Sequence, residues 1–240
     1  HGVVNDKGPM AAFLIAAKAL RENGVSLQGD MILTMVVGEM GMAPVDEFQG
    51  ERYLGKGLGA RHLVDHGVLA DAALVAEATD FGMTTTEAGV LYLKLTVRGK
   101  RRYTPHVEVT PSLTESSHAI LIMSDLIQGL HAWSMEYEKK NAYDLEFGRF
   151  IPKANIGAIR AGRPFNPCSS PGSCSLYLDV RLTPHADPGK VVEEVKEVCR
   201  KRGTPAEVEV FLYRQGAEGR NLEPLREALE SAHQDVFGEG

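Results

Sequence analysis

The sequence is short of several things, and each shortage closes off a class of protein. Only three cysteines stand among 240 residues: Cys168, Cys174 and Cys199. Their odd number and spacing make neither a disulfide scaffold nor a zinc-ligand cluster. A Cys168–Cys174 bridge is open to the chain, but reduced thiols are the simpler reading, and with them a cytoplasmic setting. No apolar run approaches the roughly 20 residues that span a bilayer. The strongest run, Met31 to Val37, is strand-length, and no secretory leader pattern is visible. Basic excess is missing as well. A formal net charge of −6 gives no electrostatic reason to expect nucleic acid or an anionic membrane as partner. The short basic cluster from Arg98 to Arg102 is interrupted by Gly99 and reads as a strand end entering a turn.

What remains is an ordinary globular composition, 43% apolar and 24% charged, in a length suited to one large domain or two ordinary ones. The first residue is His1, not a methionine, and the chain opens directly on a loop-to-helix pattern. That beginning reads as cut.

Two patterns follow each other along the chain. Residues 9–22 carry Pro9 at a first helical turn, strong helix formers and an Asn23-Gly24 stop, which predicts a helix. Asp30 to Val37 and Ala72 to Ala76 are unbroken apolar runs, expected as buried parallel strands, with a short helix over Ala60 to Asp65 between them. After Thr84 the pattern changes. Val90 to Val97 alternates apolar and polar residues, the mark of a half-exposed antiparallel strand. A long amphipathic helix over Ser116 to Lys139 follows. Strands at Asn155 to Ile159 and Ser175 to Leu182, a helix at Pro188 to Lys201 and a strand at Glu207 to Tyr213 complete a β-α-β-β-α-β unit of ferredoxin type. A last helix, Leu222 to Phe237, has no sheet partner in that unit and is assigned back to the first domain. The expected fold is therefore an α/β layer, 1–83 and 215–240, into which an α+β domain, 84–214, is inserted.

Acids gather where such a layer binds ligands. Asp6 lies before a helix start, where a helix-capping role is the plain alternative. Glu39 and Glu77 each follow an apolar run, at the carboxyl end where open α/β sheets hold ligands. Taken singly, each reads as a solvated loop acid. Taken together they suit a divalent metal, though zinc also favours histidine.

The segments GVVNDKGPMAAFLIAAKAL, LTMVVGEMG and DAALVAEAT, followed by VLYLKLTVRGK through LYLDVRLTP, resemble in order the di-zinc amidohydrolases and metallopeptidases. The resemblance is to the superfamily of aminoacylase, acetylornithine deacetylase, succinyl-diaminopimelate desuccinylase and carboxypeptidase G. It implies a partial zinc-peptidase-like catalytic layer with an inserted lid, two zinc ions (or cobalt or manganese) in the complete protein, and a small carboxylate-bearing amide or peptide substrate. It implies that Asp6 bridges the metals, Glu39 is the general base and Glu77 is a terminal ligand. Separately, the long helix presents Ile120, Met123, Leu126, Ile127, Leu130 and Trp133, more apolar surface than a small sheet need bury, and with the unit's edge strands this predicts a homodimer through the lid.

Departures from the family pattern are equally specific. Met40 stands where the family has a second glutamate, and a thioether does not replace a hard carboxylate on zinc. Asp46 and Glu47 are the nearest substitutes. Tyr103 falls where the lid carries a histidine, with His106 three residues on; both are candidate substrate contacts. Cys168 falls at the family asparagine, while Pro171, Asp179 and Arg181 keep their spacing. Arg181 suits a substrate carboxylate, or simply an ion pair with Asp179. His62, His66, His118, His131, His185 and His233 match no ligand position. Both histidine-bearing segments of the family site fall outside the sequence, so the chain reads as truncated at both ends. By itself it is expected to hold no zinc pair and to be inactive. The expected activity of the complete protein is metal-dependent hydrolysis of an N-acyl amino acid or short peptide. The alternative is a non-catalytic homologue that dimerises or binds ligand through its lid.

Overall fold

The computed structural model describes residues 2–39, 55–77, 79, 81–113, 115–145 and 148–238. It divides into two compact units, one of 1–84 with 221–240 and one of Thr85–Arg220. No helix among the described residues is long and apolar enough to cross a membrane.

The second unit follows directly from alternation. Strands β2 (Gly89–Arg98), β5 (Ala154–Ala161), β6 (Ser173–Leu182) and β7 (Ala206–Arg214) form one antiparallel sheet in the order β5-β6-β2-β7. Helices α3 (Ala119–Asn141) and α4 (Pro188–Lys201) complete the ferredoxin-type β-α-β-β-α-β order. Every second residue of β6 is buried, from Cys174 through Leu176, Leu178 and Val180 to Leu182. They meet Leu91, Leu93, Leu95 and Val97 of β2, and the same core takes in Met123, Leu126 and Leu130 of α3 and Val191 and Val195 of α4. Fully burying each such side chain contributes about 1.5–3 kcal/mol. Most of the apolar stripe foreseen on α3 is thus spent inside its own unit; Ile120 and Leu121 stay outside, 40% and 41% exposed.

Local chemistry fixes the ends. Asp187 Oδ1 accepts from Gly189 N at 2.8 Å and Pro188 occupies the first turn, a regular start for α4. Gly99 lies where β2 passes under the start of α3: a Cβ there would come within 2.6 Å of Ala119 N, so no larger residue fits. Buried Asp125 on α3 forms an ion pair with Arg202 beyond α4, tying the two helices.

Short strands that alternation did not signal complete the unit. Strands β3 (Tyr143–Leu145) and β4 (Gly148–Phe150) pair with each other, and β1 (Thr86–Glu87) pairs with β8 (Ala217–Glu218). Gly219 N donates to Thr85 O at 2.7 Å, extending that ribbon. The pairing keeps residues 215–220 with this unit.

The first unit contains α1 (Lys7–Glu22), α2 (Leu58–Asp65) and α5 (Glu223–Phe237). Helix α1 stops at Asn23, followed by Gly24 at φ +67°, as its Asn-Gly pair demands. The runs 30–37 and 72–76 lie in no strand, which corrects the expectation of a parallel ladder there. Ile32 is 53% exposed and Val75 78%. An unbroken apolar run signals a segment that favours burial, but a ladder also needs a backbone partner. The end of the first run does find one: Val37 O, Gly38 O and Glu39 O accept from Gly59 N, Gly57 N and Lys56 N, each at 3.0 Å. The start of α2 is thereby fastened to the segment that carries Glu39.

Candidate functional site

Asp6 occupies the N-cap of α1, yet its side chain makes no capping hydrogen bond. The helix-cap alternative accounts for its position and not for its carboxylate. Asp6 is half-buried, and its Oδ1 is shielded from solvent without a hydrogen-bond partner. Burial, reinforced by the negative charge of Glu77, raises its pKa above the ordinary carboxylate value. The two acids are thus close enough to repel each other. Asn5 holds Glu77 in place, its Nδ2 donating to Glu77 Oε1 at 3.0 Å. Reading the sequence alone missed Asn5; its only signal there is adjacency to Asp6.

Glu39 stands exposed at the end of the 31–37 run, its backbone fixed by the bond from Lys56. Met40, Asp46 and Glu47 lie outside the described residues. Among the described residues no three histidine, cysteine, aspartate or glutamate side chains come together as a metal site. Asp6 and Glu77 fit as hard oxygen ligands, because an unpartnered shielded oxygen beside a second carboxylate favours a cation. They supply two donors where zinc takes three or four from the protein.

In the second unit, the structure places Tyr103 and His106 in one turn. Residues Thr104–His106 form a single 3-10 turn, and the Tyr103 and His106 rings meet edge-on with centroids 6.1 Å apart. The turn is strapped to 168–170. Thr104 donates to Cys168 O through both its backbone N and its Oγ1, each at 2.8 Å. Arg102 N donates to Ser170 Oγ at 2.9 Å, and Tyr103 bridges to Ser169. Two segments singled out some 60 residues apart in sequence are therefore neighbours. Cys168 is exposed and its thiol donates to Asn166 Oδ1 at 2.7 Å; no cysteine among the three is disulfide-bonded.

Arg181 lies opposite Val90 on the sheet, and its Nη2 donates to Asp179 Oδ2 at 2.9 Å. Of the two readings of Arg181, the ion pair is formed; the guanidinium remains 42% exposed. Tyr92, opposite Asp179, has its pKa raised by burial and then by that carboxylate, against the opposing pull of Arg181.

The M20 peptidase dimerisation domain matches residues 85–207. The N-formyl-4-amino-5-aminomethyl-2-methylpyrimidine deformylase of Halalkalibacterium halodurans is 30% identical over 206 residues, 82% of this chain and 43% of that protein. Carboxypeptidase G2 of Pseudomonas sp. (strain RS-16) is 27% identical over 219 residues, 89% of this chain and 45% of that protein. The chain spans less than half the length of either curated relative. An M20 family metallo-carboxypeptidase structure from Sulfolobus solfataricus aligns at 17% identity over 65% of this chain and 50% of that one, with a TM-score of 0.45. These relatives are hydrolases. With the dimerisation domain matched over half of its length, the chain belongs to the M20 peptidase family.

Proposed function

We propose that the protein carrying this chain is a metal-dependent amidohydrolase acting on an N-acyl amino acid or a short peptide. One observation supports this most directly: Asp6 sits at a helix start with an uncapped, unpartnered oxygen, beside a Glu77 that Asn5 holds close to it. Asp6 and Glu77 would hold the cations, two zinc ions or cobalt or manganese in their place. The chemistry such ions supply is polarisation of the scissile carbonyl and acidification of a water. Glu39 takes the proton from the attacking water and returns it to the leaving amine nitrogen as the C–N bond breaks, giving a carboxylate and an amine. Arg181, Tyr103 and His106 contribute substrate contacts, the guanidinium by exchanging Asp179 for a substrate carboxylate. The unit that carries them joins two copies of the protein into a homodimer through its exposed helix face and sheet edge.

The test is hydrolysis of a panel of N-acyl amino acids and dipeptides by the full-length protein supplied with zinc, cobalt or manganese. Turnover is expected, and Glu39→Gln should remove it with metal content unchanged. Undiminished turnover in that variant would show the base to be elsewhere. A second reading has an observation of its own. Met40 stands where the family has a second glutamate and Tyr103 where its lid has a histidine, and both favour a non-catalytic homologue acting through its lid. Full-length protein that takes up no metal and leaves every substrate intact would establish that reading. The 240-residue chain alone should show neither a tightly held zinc pair nor turnover.

A further inference from the structure

We propose that His62 and His66 form a two-imidazole chelate for a late first-row transition-metal ion of the copper, nickel or zinc class. The histidines lie four residues apart at the end of α2, so they share one face of the helix. Their ring centroids are 3.9 Å apart with a tilt of 37° between the planes. Four residues apart on a helix is the sequence spacing by which paired histidines grip a metal, and the exposed rings, now stacked, part by rotation of their side chains to take an ion between them. The second observation concerns the proton. His66 Nδ1 lies 2.7 Å from the His62 carbonyl oxygen. A carbonyl only accepts, so Nδ1 carries the hydrogen, and in the neutral ring Nε2 is the nitrogen that presents a lone pair. A backbone carbonyl on the distal nitrogen is also what orients and strengthens histidine ligands in metal proteins.

Two further features act in the same direction. His66 is the C-cap of α2, and the negative end of the helix dipole favours a cation there. Both histidines are exposed, which leaves the ion's remaining positions to water. Among the described residues no carboxylate or thiol joins them as a third ligand. Imidazole without oxygen ligands suits copper, nickel and zinc, and not magnesium or calcium. The ion would clamp the last turn of a helix that buries none of its own residues. By mass action it would stabilise the first unit, which among its described residues has no core comparable to that of the second.

The experiment is calorimetric titration of tag-free full-length protein with copper(II), nickel(II) and zinc(II), with magnesium as control. Uptake through this pair is expected to be tightest for copper. His62→Gln and His66→Gln should each weaken it on the order of tenfold or more, removing one equivalent of nickel at micromolar concentration. His62→Gln preserves the His62 backbone carbonyl and the His66 cap, and circular dichroism verifies the fold of both variants. In Asp6→Asn that equivalent should persist. Nickel uptake identical in wild type and both histidine variants would overturn the proposal. So would an equivalent that disappears in Asp6→Asn while surviving in the histidine variants, or one that magnesium displaces.

Discussion

The two units use apolar residues in opposite ways. In Thr85–Arg220 the leucines of β2 and β6 are almost wholly buried, Leu91, Leu93, Leu95 and Leu176 at 0% exposure. In the first unit Val37 is 76% exposed and Val75 78%, and no described residue there falls in the buried class. Both sets of residues are equally apolar. The difference is that alternation supplies one apolar face, which two local helices cover, whereas an unbroken run needs cover on both faces and a ladder on both edges. The second unit contains its own solution; the first does not among its described residues.

The sharpest way to break that contrast is a pair of truncations. Leu93→Ala should lower stability by about 2–5 kcal/mol, through lost burial and a residual cavity. Val75→Ala should change it by less than about 0.5 kcal/mol, as at an ordinary surface site. Chemical denaturation of each variant measures both, and comparable losses would erase the distinction. Next in size is the tie between α3 and α4. Asp125→Ala removes charge-assisted hydrogen bonds to Arg202 and should cost about 1.5–3 kcal/mol, again read from the denaturation midpoint of the second unit.

A finer contrast lies between two aspartates at helix starts. Asp187 accepts a real capping bond; Asp6 accepts none. Asp187→Ala should therefore cost about 1 kcal/mol. Asp6→Asn, which removes a shielded charge facing Glu77, should leave thermal stability unchanged or raise it while weakening metal uptake by the full-length protein. A stability loss equal to that of the Asp187 variant would make Asp6 an ordinary cap.

The smallest effect concerns the thiols. Burial pushes Cys174 up to about 11 and raises Cys199, while Cys168 is exposed. A disulfide-exchange reagent at pH 8 should label one thiol in the native chain and three after denaturation. The raised Cys174 pKa favours the folded state below the ordinary thiol range. That contribution fades as pH rises through the folded value near 11, because the unfolded thiol ionises first.

Much of this was legible beforehand, for reasons specific to each element. The alternation of β2 and β6, and the Pro188 that opens α4, are local signals that tertiary structure reinforces. Strands β1, β3, β4 and β8 are two or three residues long, and β1 finds its partner on the far side of the whole unit. No local pattern encodes such a pairing. At the site, Asp6 and Glu77 were legible because a family motif surrounds each. Asn5 was not, because its role is a hydrogen bond to a residue 72 positions away. Tyr103 and His106 were singled out by counting from Gly99, but the strap that holds their turn to Cys168 depends on three-dimensional closure.

The β1–β8 ribbon has a further consequence when considered as a problem of chain statistics. Thr86 pairs with Glu218, and Gly216 approaches Glu87 O so closely that a Cβ would lie 2.6 Å away. The segment Thr85–Arg220 therefore begins and ends at adjacent points. To the remainder of the chain, once this segment has folded, it is a short staple and not a long excursion. A flexible loop costs more to close as it grows, by about 0.6 kcal/mol for each doubling of its length; here that cost is met within the ribbon itself. Replacing the whole segment by a brief turn should thus leave the other unit's ends as near to each other as they are now, and the excised segment should fold when expressed alone.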